Sequence, residues 1–267
     1  MDKKIKAVFA GGDERYVYAA KRLDDENISA LSLGHGENAD IYSEISSADA
    51  VILPITQSGD TLSFADGRRF SVFEIVRLAD GAAFFGGESI FSLAKDKKCF
   101  DITKNERFAL RNAELTAEGA VGIMINSMPF SVCGAAVAVL GYGWIGAALT
   151  KKLCALGAAA TVFARRESSR QEARKFCRAL DFCDFAGGFD CIINTVPAKA
   201  LGERGIISAD GAYFIELASA PFGFDGEFRA RQGDKFIYAP GLPGKTAPMS
   251  AGYAVADAVS FILKGES

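Results

Sequence analysis

Val137-Ala138-Val139-Leu140-Gly141-Tyr142-Gly143-Trp144-Ile145-Gly146 is the stretch on which the fold turns. An apolar run fit for a buried strand ends in a G-x-G-x-x-G turn, and the small residues Ala147 and Ala148 open a helix behind it. On its own the glycine pattern is weak, because this chain holds 28 glycines. With a strand before it and a helix after it, the pattern becomes a dinucleotide fingerprint. Gly141 permits the tight turn, Gly143 lets the backbone approach a pyrophosphate, and Gly146 lets helix and strand pack closely. The diphosphate would then rest on the helix N-terminus, against Tyr142, Trp144 and Ile145. Glycines placed for packing alone would leave the same letters.

The next strand, Ala160–Phe163, carries the choice of cofactor. It is followed by Ala164-Arg165-Arg166, roughly 19 residues past Gly146. An acid at this place binds the ribose 2′-hydroxyl of NAD, whereas arginines accept the 2′-phosphate of NADP. The first acid is Glu167, behind two guanidiniums, so NADP is the expected cofactor. Arginines opening a solvated helix are the plainer account of the same residues. Ligands of such sheets gather beyond the carboxyl ends of the strands. The loops after three later strands therefore join the candidates: Thr195, Val196 and Pro197; Leu217 and Ala218; Pro240, Gly241, Leu242 and Pro243. Each loop is equally compatible with ordinary turn chemistry.

Reading outward, the whole chain alternates short strands and helices. Strands are predicted at Ile5–Ala10, Ile28–Leu33, Ala50–Leu53 and Ala82–Phe85, with weaker ones around Cys99-Phe100 and Phe108–Leu110. Helices are predicted at 14–23 and 72–78, and Thr56–Phe70 reads as a loop. Thr116 reads as the N-cap of a connecting helix that runs to Ser127 and carries Glu118 in its first turn. Beyond the fingerprint the pattern gives a helix over Ser168–Leu180, then strands at Cys191–Asn194, Tyr213–Leu217 and Phe236–Ala239, and a last helix over Ala251–Leu263. The expected class is α/β, with two doubly wound domains. Residues 1–128 form the first, 129–248 a Rossmann domain, and a helix over 249–264 returns to the first.

Composition narrows the partners. A net charge of −3 gives no overall field toward nucleic acid or anionic lipid, so neither is expected. The 32 residues from Gly119 to Thr150 carry no charge, yet Asn126-Ser127-Met128-Pro129 breaks them and Gly141, Gly143 and Gly146 fall in the remainder, which argues against a membrane span. Six scattered cysteines form no CxxC pair, so reduced thiols in a cytoplasm are expected and no metal site is. The single histidine, His35, lies in a glycine-flanked loop with nothing nearby to orient its ring. In the first domain, Gly11-Gly12-Asp13-Glu14-Arg15 closes a strand and could hold an anion through backbone amides and Arg15, with Ser89 placed similarly after Gly86-Gly87.

Taken together, these segments resemble the dipicolinate synthase A subunits of spore-forming bacteria. The matching residues are Gly11-Gly12-Asp13-Glu14-Arg15, Ile52-Leu53-Pro54, Thr116-Ala117-Glu118-Gly119-Ala120, the glycine fingerprint with Ala164-Arg165, Asn194–Pro197 and Glu216–Ser219. Ala239-Pro240-Gly241-Leu242-Pro243-Gly244-Lys245-Thr246-Ala247-Pro248 is the most specific, followed by Ala251-Gly252. The resemblance spans nearly the whole chain. It implies a flavodoxin-like first domain and a fold similar to formate and glycerate dehydrogenases. The implied activity is NADP-dependent oxidation of a dihydrodipicolinate-type precursor to pyridine-2,6-dicarboxylate during sporulation, with a flavoprotein B subunit for partner. It also implies that Arg15, Gly12, Asp13 and Ser89 hold the dicarboxylate while Thr116, Ser219 and Glu118 serve catalysis, Glu118 as proton acceptor. This sequence departs from the family at Trp144, where an arginine is common, and at Met249, where a lysine is frequent. A non-catalytic NADP(H)-binding protein, or a reductase of another small carboxylic acid, remains the alternative. A homo-oligomer is compatible with either.

Overall fold

The computed structural model describes residues 4–25, 27–34, 40–57, 59–64, 66–199 and 211–265. His35 lies outside them. The chain divides into two compact units, one of residues up to Asn112 together with those from Pro243 onward, the other Ala113–Leu242. Both divisions fall within helices, Glu106–Ser127 and Leu242–Thr246, and each precedes the boundary expected from the sequence.

In the first unit β1 (Ile5–Ala10), β2 (Ile28–Leu33) and β3 (Ala50–Ile52) alternate with α1 (Arg15–Leu23) and α2 (Ile41–Ser46). After a hairpin of β4 (Thr61–Ser63) and β5 (Arg69–Ser71) come α3 (Val72–Leu78), β6 (Ala83–Gly86), α4 (Ile90–Leu93) and β7 (Cys99–Asp101). The main sheet is parallel, in the order β2-β1-β3-β6-β7. That is the flavodoxin-like order. Ala7, Val8, Phe9 and Ala10 are all fully buried, as a strand covered on both faces requires. The closing helix, Pro248–Leu263, packs against α1 at Gly252 and buries Ala254, Val255, Ala256, Ala258 and Val259 in the same core.

The second unit carries β8 (Ala136–Leu140), α6 (Trp144–Ala155), β9 (Ala159–Phe163), α7 (Glu167–Ala173), β10 (Arg178–Leu180), β11 (Cys191–Asn194), β12 (Tyr213–Glu216) and β13 (Phe236–Tyr238). Its six strands run parallel in the order β10-β9-β8-β11-β12-β13, the Rossmann order, with the topological switch between β8 and β11.

Four local expectations are corrected. Phe108–Leu110 is not a strand but lies in the opening turns of α5 (Glu106–Ser127), and Thr116 lies buried in that helix instead of capping it. The true cap is Asn105, whose Oδ1 accepts the N–H of Phe108 at 3.0 Å. Thr56–Phe70 is not all loop, because the buried Leu62 stands opposite Phe70 across the hairpin. The helix predicted over Ser168–Leu180 ends at Ala173, and Arg178–Leu180 becomes the edge strand β10. Three-residue strands are too short to show alternation. The charge-free run Gly119–Thr150 is divided among α5, β8 and α6, and no helix of the described residues is long and apolar enough to cross a membrane.

The packing of the closing helix on α1 requires a glycine. A Cβ at Gly252 would stand 2.3 Å from the carbonyl oxygen of Arg15 and 2.9 Å from the amide nitrogen of Ala19. Gly252→Val should therefore destabilise the protein by about 1–3 kcal/mol through overpacking. At Gly122, inside α5, an added Cβ meets nothing within 4 Å. Gly122→Ala should instead gain about 0.5–1 kcal/mol. Chemical denaturation of the two variants beside the parent reads both signs.

Candidate functional site

At the switch point of the second unit, the three fingerprint glycines meet three different environments. Gly141 has φ +99°, and an added Cβ would lie 2.6 Å from the Thr195 hydroxyl and 2.5 Å from Val196. At Gly146 it would lie 2.3 Å from the carbonyl oxygen of Gly141. At Gly143 it would meet nothing within 4 Å. Two glycines are thus demanded by the protein's own packing. The third borders open space, at the N-terminus of α6, where no side chain caps the free N–H groups. Such a terminus is a ready cradle for a diphosphate.

Around this opening lies a cavity of ≈ 590 Å³ lined by Gly141, Tyr142, Gly143, Ala164, Arg165, Arg166, Thr195, Val196 and Pro197, with Ser169 and Phe182 added to the expected set. Thr195 ties the β8 and β11 ends together, since its N–H and hydroxyl both donate to the carbonyl of Leu140, at 2.9 and 2.8 Å. Arg165 and Arg166 are exposed, and neither has an ion-pair partner among the described residues. Arg170 fixes the turn that presents them, donating to the carbonyls of Ala164 and Arg165 at 2.6 and 2.7 Å and to Asp181 at 2.5 Å. Glu167 is held by Arg174 at 2.6 Å and Arg170 at 2.8 Å, and these two guanidiniums keep its carboxyl below the usual glutamate range.

Trp144 and Ile145 do not line the cavity. Trp144 is half exposed, and Ile145 packs against the core. The loops carrying Leu217, Ala218, Ser219 and Pro240, Gly241, Leu242, Pro243 follow β12 and β13, to one side of it. Leu217 and Ala218 are buried, whereas Ser219 is exposed.

Sequence reading missed the group that fixes this side of the site. Glu216 ends β12 with no exposure at all. Its Oε1 accepts from Asn194 Nδ2 at 2.6 Å and from the Ala218 N–H at 3.1 Å, and its Oε2 accepts from the Gly223 N–H at 2.9 Å. Asn194, also fully buried, donates to the Val196 carbonyl at 2.8 Å and accepts the Val196 N–H at 3.1 Å. Burial pushes the Glu216 carboxyl above the usual range, against the opposite pull of these donors. A glutamate closing the apolar string Tyr213-Phe214-Ile215 was the available signal, since such a buried acid must find donors.

The residues expected to hold substrate are engaged internally. The Nε and Nη2 of Arg15 each donate to Asp13 at 2.7 Å, and the arginine side chain is only 6% exposed. Gly244 lies over that pair, where a Cβ would come within 2.4 Å of both side chains. Gly12 has φ +95° and sits against the Tyr16 ring. Ser89 donates its hydroxyl to the carbonyl of Gln57. Glu118 is not at the cavity: it is exposed and pairs with Lys152 at 3.3 Å, which also meets Glu114 at 2.7 Å. Lys152 stands eight residues along α6 from Trp144, about 12 Å from the open helix end. Among the described residues no cluster of three or more His, Cys, Asp or Glu could hold a metal ion.

No family model matches the chain. It resembles the A subunit of dipicolinate synthase of Bacillus subtilis (strain 168), with 29% identity over 97% of this chain and 96% of that protein. The crystal structure of the dipicolinate synthase A subunit from Bacillus halodurans superposes with a TM-score of 0.81, at 24% identity over 97% of both chains. The NAD-complexed D-isomer specific 2-hydroxyacid dehydrogenase of Lactobacillus delbrueckii ssp. bulgaricus shares the fold, with a TM-score of 0.57 and 12% identity over 98% of both chains.

Two outcomes test this geometry. Gly143→Ala should keep the parent's stability, since space and an extended backbone receive the methyl, while Gly141→Ala should lose stability through clash and strain. Thermal melts of the pair decide it. Glu216→Gln turns an amide N–H₂ toward a backbone N–H that now donates to the carboxylate, at an expected cost of about 1–3 kcal/mol. Because the folded-state pKa of Glu216 is raised, its contribution is fullest below the ordinary glutamate pKa of about 4.3 and declines as pH rises through the raised value. That decline should be absent from the stability–pH profile of Glu216→Gln.

Proposed function

We propose that the chain is an NADP-dependent oxidoreductase of the dipicolinate synthase A type, oxidising a dihydropyridine dicarboxylate to pyridine-2,6-dicarboxylate. One observation carries the cofactor choice. The turn after β9 presents two unpaired guanidiniums to the cavity, while the first acid, Glu167, is held by Arg174 and Arg170. A ribose 2′-phosphate finds cations there, and a 2′-hydroxyl finds no free carboxylate.

The residues fit a dinucleotide. The α6 N–H groups beyond Gly143 would hold the diphosphate, Arg165 with Arg166 the 2′-phosphate, and Thr195, Val196 and Pro197 the opposite wall. Asn194 and Glu216 keep that wall in place. The nicotinamide, when bound, supplies the hydride acceptor. Loss of a hydride and a proton makes the substrate ring aromatic, so the protein's work reduces to holding the dicarboxylate in register and excluding competing reactions. The exposed hydroxyl of Ser219, in the loop after β12, is the group of this chain offered to that task. The neutralised Arg15 and the distant Glu118 favour a second reading, an NADP(H)-binding protein whose chemistry is completed by a flavoprotein partner.

Wild type should bind NADP⁺ at least about tenfold more tightly than NAD⁺, which needs roughly 1.4 kcal/mol, within reach of one charge-assisted bond. Arg165→Ala should remove most of that preference and leave NAD⁺ affinity alone. Calorimetric titrations give both numbers, and equal affinities in wild type would discard the NADP assignment. Turnover of the dihydropyridine dicarboxylate by the chain alone, set beside turnover with a flavoprotein partner, separates the two readings.

A further inference from the structure

The first unit contains a second cavity of ≈ 590 Å³, framed by the start of α5, the last turn of α1 and the closing helix. Its floor is apolar, from Phe108, Ala254, Ala258 and Phe261, and Asn105, Ser250 and Ser260 add polar groups. Four cations line it, Arg22, Arg107, Arg111 and Lys264, against one acid, Asp257. Two of them are answered within the protein. Arg22 meets Asp257 at 3.3 Å and lies over the Tyr253 ring at 5.2 Å, and Lys264 meets Asp25 at 3.4 Å.

Arg107 and Arg111 are not answered. Both are exposed, and neither has a side-chain hydrogen bond or ion pair among the described residues. Their placement also works against the helix that bears them. They stand four residues apart, where like charges repel across one turn. Arg107 also falls in the first turn, where the helix dipole disfavours a cation. Exposed side chains free to vary settle such conflicts with an acid or a neutral group. Here the dipole, the two guanidiniums and a concave apolar floor add instead to one positive hollow on a chain whose net charge is −3.

We propose that this cavity is a second binding site, taking a small anion with two oxyanionic heads. Neighbouring side chains one helical turn apart stand about 5–6 Å apart at Cβ, and each guanidinium can grip one oxyanion through two parallel N–H bonds. Two such forks match a dicarboxylate or a diphosphate. The apolar floor beside Tyr253 and Phe261 suits a flat ring between or beside the heads. The site shares no residue with the dinucleotide crevice and does not depend on what that crevice binds.

The test is calorimetric titration of the full-length chain, saturated with NADPH, with two probes: pyridine-2,6-dicarboxylate and inorganic pyrophosphate. At least one should bind wild type. In the double variant Arg107→Ala/Arg111→Ala the binding event at this cavity should be at least about a hundredfold weaker, roughly tenfold for each guanidinium removed, while dicarboxylate held beside the nicotinamide persists as a separate, unchanged event. Arg107→Lys/Arg111→Lys, which keeps charge and helix, should fall between, because lysine lacks the fork. The single-headed analogue, pyridine-2-carboxylate or phosphate, should bind wild type at least about tenfold more weakly than its two-headed counterpart, the share of one charge-assisted bond. Binding of the dicarboxylate alone assigns the site to a ligand of product type, binding of pyrophosphate alone to a nucleotide. NADPH affinity of the double variant should equal that of wild type, so a failure of the dinucleotide reading would appear separately. Absence of binding by both probes, undiminished binding by the alanine variant, or equal binding of one-headed and two-headed ligands would overturn the proposal.

Discussion

The approach of Gly146 to the carbonyl oxygen of Gly141, where a Cβ would come to 2.3 Å, is the constraint on which the crevice rests. It brings the N-terminus of α6 against the end of β8, so that the free N–H groups of the helix open at the switch point of the sheet. Move the helix outward by one methyl group and that terminus no longer meets the wall formed by Thr195 and Val196. The paired hydrogen bonds from Thr195 to the Leu140 carbonyl fix the same corner from the other strand. Gly143 is left unconstrained by the protein. A glycine that packing does not require, beside two that it does, marks where something else is to approach.

A second constraint lies one strand further along. A glutamate without exposure costs several kcal/mol unless donors surround it. Here they come from Asn194 and from backbone N–H groups of the loop that follows β12. The network therefore joins the ends of β11 and β12 and fixes the path of Leu217–Gly223. A Cβ at Gly223 would lie 2.2 Å from the Asn194 amide, so even the far end of the loop is shaped around it. The carboxylate acts as a structural acceptor. Its raised pKa follows from its burial and is no sign of proton transfer.

Most of the fold was legible in the sequence because its strands are long in apolar residues and its turns are marked by glycine. The fingerprint, the strands at Ile5–Ala10, Ile28–Leu33 and Cys191–Asn194, and the closing helix all have enough residues for a period to declare itself. What escaped were short elements, among them the three-residue strands β4, β5 and β10 and the helices α2 and α4, together with the start of α5. In α5, Phe108-Ala109-Leu110 looks like a strand until Asn105 is recognised as the cap. Most of the lining of the cavity at the switch point was legible for the same reason as the fold: its residues sit at turns whose places follow from the strands. Ser169 and Phe182 were not, because they enter the cavity from α7 and from the segment after β10, whose extents were misjudged.

What the side chains expected at the catalytic and substrate positions contact was least legible, and the reason is physical. A string such as Gly11-Gly12-Asp13-Glu14-Arg15 reveals that a cation stands at a strand end, but not whether its donors face outward. Two residues apart in sequence, Asp13 and Arg15 close on each other through both carboxylate oxygens. Glu118 likewise lies where α5 faces Lys152 of α6, and that facing depends on helical phase across a sequence separation of 34 residues. Arg107 and Arg111 show the converse: nothing in their local sequence sets them apart from other surface arginines. Only the arrangement of α5 against the closing helix turns them into the wall of a cavity. Whether a charge is left unanswered is a property of the whole surrounding surface. Arg165 and Arg166 at one cavity, and Arg107 and Arg111 at the other, stand unanswered among the described residues. Arg15, the cation that the motif singled out, is neutralised by its neighbour.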